Sequence, residues 1–164
     1  MSETIDLGSV QVTLSSAPTT GGKATGLKTT TYTSLEDLAA AAPFDVLLPG
    51  LTLRGHDLLD AAMITDPAPT IALTFAERST GRHYIIVESP IASAGSGDKP
   101  DVRAVGETIA ANSLGAGQAA RVTSAAPPGT PRPSTLLWAK EGLLLQLTGI
   151  GYAEADMEQV ALSL

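Results

Sequence analysis

The chain has 164 residues, of which 43% are hydrophobic and 16% charged, a balance that excludes a disordered chain and is enough to build one core. Ten basic against seventeen acidic residues give a net charge of -7, the wrong sign for neutralising phosphates or for attraction to anionic lipid surfaces. The absence of cysteine removes disulfides, thiolate chemistry and cysteine metal sites, and leaves both a reducing and an oxidising compartment open.

The first twenty-five residues hold Glu3, Asp6 and a single basic residue, Lys23, around no apolar h-region, and so do not read as a secretory signal. Val10, Val12 and Leu14 alternate as a strand before a loop rich in Ser, Thr and Gly, so residues 1–26 are expected to be a strand and loop appended to a single domain over 27–164. Leu27 to Thr33 has strand propensity. Ser34 then offers a helix N-cap, Leu35, Leu38, Ala39 and Ala42 share a helical face, and Pro43 ends the helix by disfavouring a helical Ala42.

Strands are predicted over His56–Ile64 and Thr70–Ala76, the second with Ile71, Leu73 and Phe75 on one face. A short turn leads into Arg82–Glu88, where His83, Ile85 and Val87 alternate with Tyr84, Ile86 and Glu88, so the two runs form an antiparallel hairpin. Ala92–Pro100 is a Ser/Gly loop, and the four prolines within Ala125–Pro133 mark a surface crossing. Leu136–Trp138 and the alternating Leu143, Leu145 and Leu147 form a second hairpin, with Gly142 suited to a left-handed turn position. Ala153, Met157, Val160, Ala161 and Leu164 form the apolar stripe of a C-terminal helix whose Glu154 and Asp156 sit at the positive end of its dipole. Hairpins between terminal helices indicate an α+β fold, an antiparallel sheet with short helices packed on one face.

Motifs for chemistry are absent. Ala94-Gly95-Ser96-Gly97 lacks the nucleophile-elbow pattern, and Gly22-Lys23 lacks both the first glycine and the hydroxyl residue of a phosphate loop. His56 and His83 have no zinc-ligand spacing; His56 at a strand start reads as solvated polarity, and the scattered carboxylates, Glu77 and Glu88 among them, read as mostly solvated. His83 is either a half-buried, satisfied histidine or a polar group in a pocket, and Trp138 is either a core anchor or a ligand platform. His83, Ile85, Val87 and Trp138 are therefore the candidate ligand-binding residues; no catalytic residue, metal site or cofactor is expected.

Thr33-Ser34-Leu35-Glu36-Asp37-Leu38-Ala39, Ala42-Pro43-Phe44-Asp45-Val46-Leu47-Leu48-Pro49 and the strands around Leu73-Thr74-Phe75 and Tyr84-Ile85-Ile86 resemble the opening of the domain-of-unknown-function family 4367. Leu137-Trp138-Ala139-Lys140-Glu141-Gly142, Leu147-Thr148-Gly149 and Met157-Glu158-Gln159-Val160-Ala161-Leu162-Ser163-Leu164 resemble its close, so the similarity runs from Tyr32 onward. Leu51-Thr52-Leu53 departs from the Pro-Glu-Gly-Tyr-like turn that the family implies there. The resemblance implies an extracytoplasmic domain of a bacterial anti-sigma factor or lipoprotein-like envelope protein, non-enzymatic, with the curved sheet of lipoprotein carriers and a cleft for a peptide, a lipid-like ligand or a partner protein. If the chain is not such an excised fragment, a cytoplasmic role is implied. The competing expectations are an envelope-assembly domain acting by self-association and a hydrolase built on His83 and a nearby carboxylate.

Overall fold

The computed structural model describes residues 3–8, 10–15, 28–50, 52–66, 69–91, 101–115, 117–124 and 127–164. In chain order these form β1 (Thr4–Asp6), β2 (Gln11–Ser15), β3 (Lys28–Tyr32), α1 (Leu35–Ala41), β4 (His56–Asp66), β5 (Thr70–Glu77) and β6 (His83–Pro90). There follow β7 (Asp101–Val105), β8 (Thr108–Leu114), β9 (Gly117–Thr123), β10 (Pro133–Lys140), β11 (Leu143–Ile150) and α2 (Glu154–Leu162). Eight strands make one sheet in the order β3-β4-β5-β6-β11-β10-β9-β8, every neighbouring pair antiparallel. It consists of two meanders, β3 to β6 and β8 to β11, joined where β6 and β11 lie side by side.

Alternation dictates the two faces of this sheet. Ile71, Leu73 and Phe75 of β5, Tyr84 and Ile86 of β6, and Leu143, Leu145 and Leu147 of β11 point inward and are buried with Leu38 of α1 and Met157, Val160 and Ala161 of α2, so both helices pack on one face. Each such Leu or Ile side chain stabilises the fold by about 1.5–3 kcal/mol through removal from water. Ser34 caps α1 as expected, its Oγ accepting the Asp37 N–H at 3.1 Å, and Ala42 before Pro43 is extended at ψ 140°. At the β10–β11 turn both Glu141 (φ 51°) and Gly142 (φ 78°) are left-handed, the pair of positive angles that a two-residue hairpin turn requires.

The N-terminal strand packs on the large sheet. β2 pairs antiparallel with β1 and parallel with β7, Gln11 lying opposite Asp101, and forms a second, three-stranded sheet. Its Val12 is fully buried against Ile109, Ala120, Val122 and Leu137, which occupy the face of the large sheet opposite the helices. Residues 16–26 of the expected appendage and the Ala92–Pro100 loop lie outside the described residues. β7, β8 and β9 are elements that no local pattern announced: Ala104, Ala110, Ala111, Ala119 and Ala120, whose strand propensity is low, dilute their alternation.

Candidate binding cleft

Trp138 stands on the inward face of β10, opposite Leu145 of β11, and is 5% exposed. Beside it, a cleft of about 360 Å³ lies between the β8–β9 hairpin, the end of β10 and the last turn of α2, lined by Leu114, Gly117, Gln118, Trp138, Ala161 and Leu162. Its walls are mainly apolar, with Gln118 and Lys140 as the polar side chains among them. Leu162 is 55% exposed, an apolar side chain left open on the helix where the cleft meets solvent. The last turn of α2 is held by three contacts. The Ser163 carbonyl accepts the Gly50 N–H at 3.0 Å, Lys140 Nζ donates to the Leu164 carbonyl, and Leu164 itself is buried.

On the same inward face lies a carboxylic acid. Glu88 of β6, in register between Ile71 of β5 and Leu145 of β11, is fully buried, which corrects its reading as a solvated strand-end charge. Its Oε1 accepts the Leu47 N–H at 2.8 Å, while Oε2 has no hydrogen-bond partner among the described residues. Burial pushes its pKa up to about 7 against the opposing pull of that single N–H.

At the other end of the sheet an aromatic cluster fastens the start of α2. His56 is 7% exposed rather than solvated; its Nδ1 donates to the Arg54 carbonyl at 3.1 Å, so in the neutral ring Nε2 accepts the Tyr152 hydroxyl at 2.8 Å. Tyr84 packs edge-on to Tyr152 and stacks with Phe75, and the Arg82 guanidinium lies 4.3 Å from the Tyr152 ring centre. Burial raises the Tyr152 pKa to about 12, with Arg82 acting against it. Arg82 also donates to the Gly151 carbonyl and pairs with Glu77, whose pKa is lowered chiefly by the Thr80 hydroxyl. Gly149 makes this arrangement possible, since a Cβ there would meet the Tyr152 ring at 2.7 Å. Farther along α2, Arg121 of β9 joins Glu154 and Glu158 to the Asn112 side-chain oxygen.

The sequence-predicted site residues do not converge. His83, Ile85 and Val87 lie on the face of the sheet turned away from the helices, where His83 is exposed and the other two are half-buried, while Trp138 lies on the helix-covered face. His83 lines none of the clefts formed by Trp138, by Phe44 or by Val122. The alternation of Tyr84, Ile86 and Glu88 was the available signal for a buried Glu88, whereas nothing local ties His56 to Tyr152. Among the described residues no cluster of three His, Asp or Glu side chains is placed to hold a metal ion, and no helix is long and apolar enough to cross a membrane. No family model, curated protein or solved structure matches the chain.

Proposed function

We propose that this chain is a non-enzymatic binding domain of a bacterial envelope protein, acting in sensing or regulation by taking an apolar group of a lipid-like ligand into the cleft beside Trp138. The single observation that supports the reading is that cleft: apolar walls, the only tryptophan of the chain along one side and an exposed Leu162 at the edge. About 360 Å³ is within the range of small-molecule sites. The hydrolase built on His83 is a poorer reading, because His83 is exposed and lines none of the clefts formed by Trp138, Phe44 or Val122. The envelope location and the lipoprotein-carrier frame rest on the family resemblance of the segments from Tyr32 onward.

Trp138 supplies the test. Titration with a long-chain fatty acid, a lysophospholipid and an apolar peptide is expected to give a saturable change in Trp138 emission with one of the two lipids. Leu162→Asp, at an exposed position, should leave the circular dichroism spectrum unchanged and weaken binding by about tenfold, the equivalent of one lost apolar contact. A response to the peptide alone would replace the lipid reading by a peptide-binding one. Emission indifferent to all three would end the reading.

A further inference from the structure

Glu88 and the cleft are connected through one stretch of backbone. The loop between α1 and β4 gives the Leu47 N–H to Glu88 Oε1 and, three residues on, the Gly50 N–H to the Ser163 carbonyl. Ser163 follows directly on Ala161 and Leu162, which form the helical wall of the cleft. The loop is otherwise seated by apolar packing, with Phe44, Val46 and Leu47 against the inward core. One buried carboxyl thus anchors the loop that holds the end of α2.

We infer that Glu88 is a proton-controlled latch: neutral, it tolerates burial beneath the loop and leaves the cleft wall in place; ionised, its need for water outweighs the stronger bond it makes to the Leu47 N–H, and the loop lifts. The latch rests on the proposed ligand cleft for its purpose but not for its operation. A neutral carboxyl tolerates an apolar site with one hydrogen bond, whereas a carboxylate there keeps a single N–H partner, and its Oε2 has none. The ionised form is relieved when the loop lifts and admits water, which breaks the Leu47 bond and loosens the Gly50–Ser163 bond with it. Among the described residues, burial and the Leu47 N–H are the influences on the Glu88 pKa. The titratable groups on the packed elements are engaged elsewhere or exposed. Lys140 binds the Leu164 carbonyl, Glu77 binds Thr80 and Arg82 at the far end of β5, and Asp45 of the loop is exposed. On β4, His56 is bound to Tyr152, Asp57 pairs with Arg78, and Asp60 is exposed.

The experiment is an NMR pH titration of the full chain without ligand, following the Glu88 side-chain carboxyl carbon and the amides of Leu47, Gly50 and Leu164. The carboxyl is expected to titrate with a midpoint near 7 and the three amides to move with it. In Glu88→Gln, which keeps the acceptor and cannot ionise, the amide transition should vanish, and ligand affinity, expected to fall by roughly tenfold between pH 6 and 8.5 in the native chain, should become independent of pH. A carboxyl midpoint near 4.5, or an amide transition that survives in Glu88→Gln and so belongs to a histidine, would overturn the latch. In the wild type, the carboxyl and the three amides moving with one midpoint, or the amides standing still while the carboxyl titrates, decides for or against the latch even if the variant does not fold. Because this titration needs no ligand, an indifferent Trp138 with an intact amide transition would reject the cleft as a lipid site and keep the latch, and the reverse pattern would reject the latch alone.

Discussion

At Glu88 the physical cost of burial and the chemistry of the side chain meet in one group. Its folded pKa of about 7 stands above the ordinary 4.5, so the folded state binds the proton more tightly than the unfolded chain. The stabilisation is complete below pH 4.5 and is lost as pH rises to about 7, by an amount on the order of 3 kcal/mol. Urea unfolding at pH 5 and pH 8 should therefore show the native chain losing stability over this interval relative to Glu88→Gln. At His56 the expected effect is of another kind: Tyr152→Phe leaves a buried Nε2 without a partner and should cost about 1–3 kcal/mol at neutral pH, measurable as a lower urea midpoint with an unchanged slope. These two residues also show where local reading stops. Glu88 stood in the inward phase of an alternating strand, and its burial was legible there, but its charge argued for solvent and outweighed the period. His56 finds its partner 96 residues away, and no local pattern encodes that distance.

Elements whose identity depends on local chemistry were legible, and those that depend on distant pairing were not. The β5–β6 and β10–β11 hairpins announce themselves through alternating Ile, Leu and Val, and α1 through Ser34 and Pro43. The alanine-rich β8 and β9 have no such signal; they are strands because Ala120 and Val122 must fit under Val12 while Ala119 faces the helix side. The same distinction predicts which local substitutions matter. Glu141 sits at φ 51°, a region that a glutamate adopts at some cost and an asparagine more readily. Glu141→Asn should raise stability by about 0.5–1 kcal/mol, seen as a higher melting temperature, because it brings the turn to the Asn-Gly pairing that two-residue hairpins favour.

On the scale of the whole molecule the two faces of the large sheet have different duties: the helices and the cleft lie on one, and the small sheet packs on the β8–β10 part of the other. β2 finds β7 about ninety positions along the chain, Gln11 against Asp101, so a reading that proceeds by neighbours takes the N-terminus for an attachment. The burial of Val10 and Val12 at 1% or less argues the opposite. Removal of residues 1–15 would expose Ile109, Val122 and Leu137 and delete two fully buried valines, each worth about 1.5–3 kcal/mol. Since about 1 kcal/mol shifts the melting temperature by some 2–4 °C for a domain of this size, the truncated chain should melt roughly 10 °C or more below the full one. An unchanged melting temperature would return the segment to the status of an appendage. Trp138 and the cleft lie on the opposite face from this sheet, so below its lowered melting temperature the truncated chain should still give the native Trp138 emission and the native ligand response. Loss of that response while the chain remains folded would mean that the small sheet sets the geometry of the cleft through the strands they share, β9 and β10.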